Sequence, residues 1–178
     1  MGVSISAISH VTVTTSLAAA AGVAMAGLFS TWALKKPDLS MVLNGALAGL
    51  VGVTAGADVL SPAESIMAGG VAGVIVVLGV LAIDRMRIDD PVGAVAVHLL
   101  CGIWGTLAVG IWHDGASLAT QAIGVLAVGA LCVPFSFVVF FVLEKTLGIR
   151  VEEREERIGL DIEEHGMESY AGFQIYPT

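Results

Sequence analysis

Apolar residues in this chain run in long blocks, and short polar or turn-forming stretches separate the blocks. The breaks fall at KKPD, DVLSP, DRMRIDDP and HDGAS. Each block has roughly the 20 residues that a helix needs to cross the hydrocarbon core of a bilayer. The pattern predicts an all-α, polytopic membrane protein. Its five predicted transmembrane helices lie near residues 10–34, 41–59, 63–84, 91–112 and 118–147.

These spans divide the chain into a short external N-terminus (1–9), a transmembrane domain (10–147) and a tail (148–178). The last span is long for one crossing, so we expect it to tilt, to kink near Pro134 or to protrude from the membrane. Glycines spaced four apart within the spans predict close packing of helix backbones, with a narrow conduit as the alternative. Two such pairs are Gly45/Gly49 and Gly69/Gly73.

Composition excludes an ordinary soluble domain, because 56% of the residues are hydrophobic and 13% are charged, against about 25% charged in soluble proteins. The spans hold no nucleophile–base pair and no metal-ligand cluster, so we expect neither an enzyme nor a bound metal or cofactor. Nucleic-acid binding is disfavoured by the lack of a basic stripe. Cys101, Cys132 and Trp104 are interpreted as packing residues within the spans.

The basic residues predict the orientation in the membrane, since short cytoplasmic loops carry the Lys/Arg excess. All of them follow or end the first, third and fifth predicted spans, which puts the N-terminus outside and the tail in the cytoplasm of a cell (plasma or inner) membrane. The formal net charge of −8 arises mostly in that acidic tail. The N-terminus lacks the features of a cleaved signal peptide. The basic residues are Lys35, Lys36, Arg85, Arg87, Lys145, Arg150, Arg154 and Arg157.

His98 is the ionisable residue inside the otherwise apolar fourth span, and such residues are costly enough to be frequently functional. A neutral imidazole could hydrogen-bond a small polar molecule or relay a proton. A structural histidine bonded to a helix carbonyl is an equally weighted alternative. Asp90 before Pro91 predicts a capped helix start, with His98 about 12 Å further along the axis. The other histidines are interpreted as surface residues: His10, His113 and His165.

The stretch DDPVGAVAVH followed by CGIWGTLAVG resembles the late-helix motif of the ammonium transporter (Amt/Mep/Rh) family, on the Amt branch. TTSLAAAAG resembles the start of the family's seventh helix, and NGALAGLVGVTAGADVLSP resembles its eighth helix and exit loop. TLGIRVEEREERIGLDIEEHGMESY resembles the family's cytoplasmic tail. Several motifs in one collinear order, from about Val11 to Tyr170, make the resemblance specific.

The resemblance implies transport of ammonium or ammonia, with methylammonium as an analogue, through a fold of eleven helices that assembles as a homotrimer. Two inverted five-helix halves and a last helix form that fold, with one pore per subunit. By similarity, His98 corresponds to the second of two pore histidines, and Asp90 to an aspartate that supports the pore helix. The match covers the last five helices and the tail. We therefore expect a missing N-terminal half, or full-length subunits, to supply the other pore wall and the first pore histidine.

The resemblance also implies an ordered tail whose residues contact a neighbouring subunit, with a PII-type signalling protein as a partner at the cytoplasmic face. From the residues alone, a solvated, partly disordered end is the usual interpretation. The alternative function is a non-transporting truncated protein that binds signalling partners or modifies full-length transporters. A pair of half transporters in opposite orientations is disfavoured by the one-sided charge. The tail residues expected in contacts are Gly159, Asp161, His165 and Gly166.

Overall fold

The computed structural model describes residues 4–169, and these residues form helices joined by short connections. The chain divides into two compact units, Met1–Val128 and Gly129–Thr178. A π-helical run, called here the π segment, leads directly into α4. The helices are α1 (Ile5–Leu34), α2 (Leu39–Thr54), α3 (Pro62–Arg85), the π segment (Val95–Leu100), α4 (Cys101–Trp112), α5 (Leu118–Leu147), α6 (Glu153–Ile158) and α7 (Leu160–Glu163).

Polar side chains in the connections cap the first three helices. The Ser4 hydroxyl accepts a hydrogen bond from the Ala7 amide at the start of α1, and Asp38 does the same for α2. At α3, Ser61 and Glu64 form a reciprocal capping box, in which each side chain satisfies an amide that has no partner within the helix. The polar breaks in the sequence thus end one helix and begin the next.

Four helical stretches have the length and apolar composition needed to cross a membrane: Ile5–Leu34, Pro62–Arg85, Val95–Trp112 and Leu118–Leu147. The fifth apolar helix, α2, has 16 residues and is shorter than a typical crossing. The predicted second span, 41–59, is therefore helical only up to Thr54, and a series of turns follows it.

The core of the first unit is built where α1 crosses α2 and α3 at two levels. At one level, a Cβ on Gly49 or Gly69 would overlap the Ala18 carbonyl oxygen. One turn further along α1, a Cβ on Gly45 or Gly73 would lie 2.7 or 2.5 Å from the Gly22 carbonyl oxygen. Close packing at both glycine pairs is confirmed, because no side chain fits between these backbones. We call these two levels the glycine layers.

The π segment and α4 pack against α2 and α3. A Cβ on Gly105 would lie 2.6 Å from the Gly52 carbonyl oxygen, so α4 also meets α2 through its backbone. A Cβ on Gly79 would lie 2.7 Å from the Leu100 side chain, which leaves α3 close to the end of the π segment. The absence of a side chain at these glycines brings the fourth span onto the preceding helices.

At the end of α2, two α1 side chains hold the turn that leads into α3. The buried Thr14 hydroxyl donates to the Ala57 carbonyl oxygen at 2.7 Å. His10 Nε2 lies 3.0 Å from the Leu60 carbonyl oxygen, and because a carbonyl only accepts, that nitrogen carries the proton. The interpretation of His10 as an ordinary surface residue is wrong, since its ring is half-buried and bonded.

Helix α5 has no buried residue among the residues that the structure describes. Pro134 lies inside its uninterrupted 30-residue span. Cys132 is exposed among the described residues, and its interpretation as a packing residue stays a prediction. An apolar helix with no buried residue is suited to lipid or to a further protein surface.

The glycine layers predict that Gly49→Ala destabilises the first unit, because the new Cβ overlaps the Ala18 backbone. Overpacking of this kind costs about 1–3 kcal/mol. Gly124→Ala is the matched control, since nothing lies within 4 Å of a Cβ at that position. Thermal unfolding of both variants in detergent should show a lower midpoint for Gly49→Ala alone. Equal midpoints would contradict the packing described for the layers.

Candidate functional site

The π segment carries His98 and is capped by Asp90. The Oδ2 atom of Asp90 accepts hydrogen bonds from the Val95 amide at 3.0 Å and the Ala96 amide at 3.4 Å. A carboxylate at a helix start accepts hydrogen bonds from amides that have no partner in the preceding turn. Its negative charge is also stabilised by the positive end of the helix dipole. The cap reaches across the Pro91–Gly93 turn to do this.

Asn44 and Gly93 shape that turn. The Asn44 amide on α2 donates to the Val92 carbonyl oxygen at 3.2 Å. Gly93 has a φ of +73°, a backbone conformation that glycine adopts without strain, and a Cβ there would lie 2.7 Å from the Asn44 amide nitrogen. The start of the fourth span is therefore fixed to α2.

The prediction that Pro91 occupies the first helical position is wrong. Pro91 and Val92 lie in a turn, and helical bonding begins after Gly93 because its positive φ is incompatible with a helix. The estimate of about 12 Å from Asp90 to His98 assumed a helix throughout. That distance does not apply, since part of this stretch is not helical.

His98 lies in the π segment and its side chain is exposed in the described chain. Within residues 4–169, no hydrogen bond involves the ring. The neighbouring Leu99 and Val95 side chains are 52% and 39% exposed, so the imidazole sits on an apolar face. A π-helical run is rare and is frequently found at functional sites, because its extra residue changes where side chains point.

An open cavity of about 530 Å³ lies beside the capped turn, between the ends of α2 and α3. Asp38 and Asp90 line it, and both carboxylates accept backbone hydrogen bonds as helix caps. Asp84 and Asp89 also line the cavity. This end of the unit is polar, in contrast to the apolar surface around His98. Within residues 4–169, the structure brings together no His, Cys, Asp or Glu cluster that could hold a metal ion.

Sequence reasoning missed the roles of Asn44 and Gly93. An amide side chain inside an apolar run was a usable signal for Asn44, since such groups require a partner when they are buried. The π segment gave no such signal, because its residues, VAVHLL, have the same apolar character as an α-helical span.

The tail folds on itself through three of the four residues named from the resemblance, Gly159, Asp161 and Gly166. The Asp161 carboxylate accepts a hydrogen bond from the Ser169 amide at 2.9 Å, and the Asp161 carbonyl accepts one from Met167. Gly159 (φ 109°) separates α6 from α7, and Gly166 (φ 67°) follows α7. His165 is exposed. Residues 153–169 thus form local structure, and Tyr170 lies outside the described residues.

The cap geometry predicts that Asp90→Ala loosens the start of the π segment. Loss of a capping side chain costs about 1 kcal/mol, which corresponds to roughly fivefold faster hydrogen exchange at the Val95 and Ala96 amides. Asp89→Ala is the control. The Asp89 carboxylate lies next to Asp90 in the sequence but makes no hydrogen bond within the described residues. Hydrogen exchange is measured by NMR in micelles. Equal exchange rates at Val95 and Ala96 in the two variants would contradict this cap.

The tail predicts a pH-dependent contact at Asp161. The hydrogen bond from the Ser169 amide lowers the pKa of this carboxyl from its usual 3.8. A lowered pKa means that the contact is fully favourable above about pH 4 and is lost as the pH falls further. The chemical shift of the Ser169 amide should therefore change as the pH is lowered below about 4 in the unmodified chain, and it should stay constant in Asp161→Asn. A midpoint at or above 3.8 would contradict the bond.

Comparison with known proteins matches residues 2–170 to the model of the Ammonium Transporter Family. A candidate ammonium transporter of Synechocystis sp. is 45% identical over 164 residues, which are 88% of this chain and 36% of that protein. Ammonium transporter Amt2 of Archaeoglobus fulgidus is 37% identical over 192 residues, covering 96% of this chain and 41% of the relative. The chain spans less than half the length of these relatives.

Solved structures give the same result. A protein titled Sensor Amt Protein superposes with a TM-score of 0.82 at 30% identity, over 91% of this chain and 43% of that one. The Candida albicans Mep2 mutant delta442 superposes with a TM-score of 0.70 at 25% identity, over 80% of this chain and 41% of that one. Sequence, helical fold and apolar spans agree, and the chain belongs to the ammonium transporter family as an all-helical, multi-pass membrane protein.

Proposed function

We propose that this chain forms one wall of an ammonium-conducting pore, and that the His98 imidazole faces the conduit. The observation that carries the proposal is the position of His98, which is exposed on the apolar surface of a span without a hydrogen-bonding partner in residues 4–169. An ionisable group facing lipid alone would be costly. A narrow polar path on that side removes the cost.

The chemistry of the site suits a small hydrogen-bonding solute. Ammonia donates and accepts hydrogen bonds, and a neutral imidazole offers one nitrogen of each kind. The exposed Val95 and Leu99 side chains would keep the wall apolar, which disfavours the charged ion more than the neutral molecule. His98 is the residue to which we assign solute contact or proton relay, and Asp90 supports the helix that carries it.

The other wall is assigned to a segment equivalent to the part of the relatives that this chain does not match. The matched relatives are more than twice as long as the aligned portion. Exposed apolar residues on the His98 face would then be covered by that segment. We propose five crossings in total, with α2 and the turns after it as the second, and a trimer as the assembled state.

The orientation proposed is N-terminus outside and tail in the cytoplasm. The α1–α2 connection carries Lys35 and Lys36, α3 ends at Arg85, and the α3–π connection carries Arg87. Residues from both connections line one cavity, so both connections lie at one end of the unit. That end would face the cytoplasm by the positive-inside rule. Gly159, Asp161, His165 and Gly166 would contact a neighbouring subunit there.

A second candidate function is regulation of full-length transporters, or binding of a PII-type protein, by a chain that does not transport. The folded tail supports this candidate, because an end ordered by the Asp161–Ser169 contact offers a defined surface to a partner. Co-purification of a PII-type protein in the absence of uptake would support it.

Methylammonium uptake tests the pore. Cells without their own ammonium transporters would express this chain alone or together with the unmatched N-terminal segment of Archaeoglobus fulgidus Amt2. We expect His98→Ala to lower uptake by about 2- to 12-fold, since a lost hydrogen bond between neutral partners costs about 0.5–1.5 kcal/mol. His113→Ala is the control, because that histidine follows the end of α4.

Each result separates the hypotheses once insertion of every variant has been verified by surface labelling. Uptake by the chain alone that depends on His98 would support a self-sufficient pore. Uptake only with the added segment would support a shared pore. Uptake that His98→Ala leaves unchanged would overturn the assignment of His98, and no uptake in either arm would favour the regulatory candidate.

A further inference from the structure

We propose that Cys101 and Trp104 are positioning residues for His98, because their side chains fix the register of the π segment and α4 on α3. The proposal rests on the proposed function for the meaning of His98. Its structural content, a pair of side-chain bonds that holds a π-helical run in place, can be tested separately.

The Cys101 thiol links the π segment to α3. Its Sγ atom lies 3.5 Å from the Ala72 carbonyl oxygen on α3 and 3.5 Å from the Ala96 carbonyl oxygen in the π segment. The residue is fully buried. A thiol has one proton and is a weak donor, so that proton is shared between two acceptors on neighbouring elements.

Trp104 makes the second bond of the pair. Its indole Nε1–H donates to the Ala68 carbonyl oxygen at 2.9 Å, one helical turn along α3 from the acceptor of Cys101. The indole is also held edge-on against Trp112, with ring centroids 5.8 Å apart. The interpretation of Trp104 as a packing residue is therefore incomplete, because it is also a hydrogen-bond donor between helices.

The Cys101 and Trp104 hydrogen bonds to α3, whose acceptors lie one turn apart, can both form in only one register of α4 on α3. A slide of one residue, about 1.5 Å, would move both donors away from their acceptors, and a slide of one turn would leave at most one bond. Gly79 permits the close approach of α3 to the Leu100 and Ala96 side chains that the register requires. The pair thus selects one alignment among several that an apolar interface would tolerate.

The register controls His98 because π-helical geometry is intrinsically unfavourable and is kept by its surroundings. Relaxation of the π segment to an α-helix would change the rotation of its residues relative to α4 by up to about 100°, the angle of one residue. His98 would then leave the face it occupies. The thiol bond to Ala96 opposes this change at the residue two positions before His98.

Hydrogen–deuterium exchange measured by mass spectrometry on the full chain in lipid nanodiscs tests the pair. In Cys101→Ala we expect about threefold faster exchange confined to residues 93–101, since hydrogen bonds between helices in membranes are weak and a thiol donor lies at the low end. Cys101→Ser keeps a donor and should restore the slow exchange. Trp104→Phe keeps an aromatic ring, removes the indole N–H, and should accelerate exchange in the same region.

Cys132→Ala and Cys132→Ser are the matched controls, since that cysteine is exposed on α5, and both should exchange like the unmodified chain. Unchanged exchange in Cys101→Ala would overturn the proposal. Equal acceleration throughout α2, α3 and α4, without rescue by serine, would also overturn it by showing a packing role alone.

Methylammonium uptake of the same variants, in the arm where the unmodified chain is active, links the register to the pore. We expect Cys101→Ala to lower the maximal rate by up to about threefold, the factor that one weak hydrogen bond between membrane helices is worth, with recovery in Cys101→Ser. Local exchange without any change in uptake would overturn the link to His98. If the unmodified chain shows no uptake in either arm, the proposed function fails while the exchange result still decides the structural pair.

Discussion

The close approach of three helix backbones at Ala18 and Gly22 is the constraint on which the first unit depends. Membrane helices gain little from the hydrophobic effect when they associate, so close van der Waals packing has to hold them together. The Ala18 and Gly22 carbonyls each face glycines on both α2 and α3, which fixes the depth and rotation of all three helices at once. Everything that positions the fourth span, from Asn44 on α2 to the Ala68 and Ala72 carbonyls on α3, is attached to this trio.

The fourth span is held from two sides and left irregular between them. Asp90, Asn44 and Gly93 fix its start, while Cys101 and Trp104 fix it to α3 beyond His98. A rigid frame around an irregular helical run keeps a side chain in a geometry that the local sequence would not adopt by itself. The irregular run places the imidazole on an apolar face, and the frame prevents the neighbouring turns from relaxing.

Much of this arrangement could be predicted from the sequence, because it follows from local rules. Long apolar blocks predicted an all-α membrane protein, and the small-residue spacing of Gly45/Gly49 and Gly69/Gly73 predicted the close crossings. The start of the fourth span was placed at Pro91 because proline suits a first helical turn. The positive φ of Gly93 and the π geometry arise from contacts with α2 and α3, and such contacts between elements are not encoded in the spacing of one segment.

The distribution of contacts among the helices also bears on the order in which the unit is assembled during synthesis. α1 contributes to both glycine layers, whereas α4 and the π segment contact α2 and α3 within the first unit. The first three helices can therefore complete their packing as soon as α3 has entered the bilayer, before α4 has joined them there. The π segment then packs against helices α2 and α3 that are already in place, so the surface that holds its irregular geometry enters the membrane first.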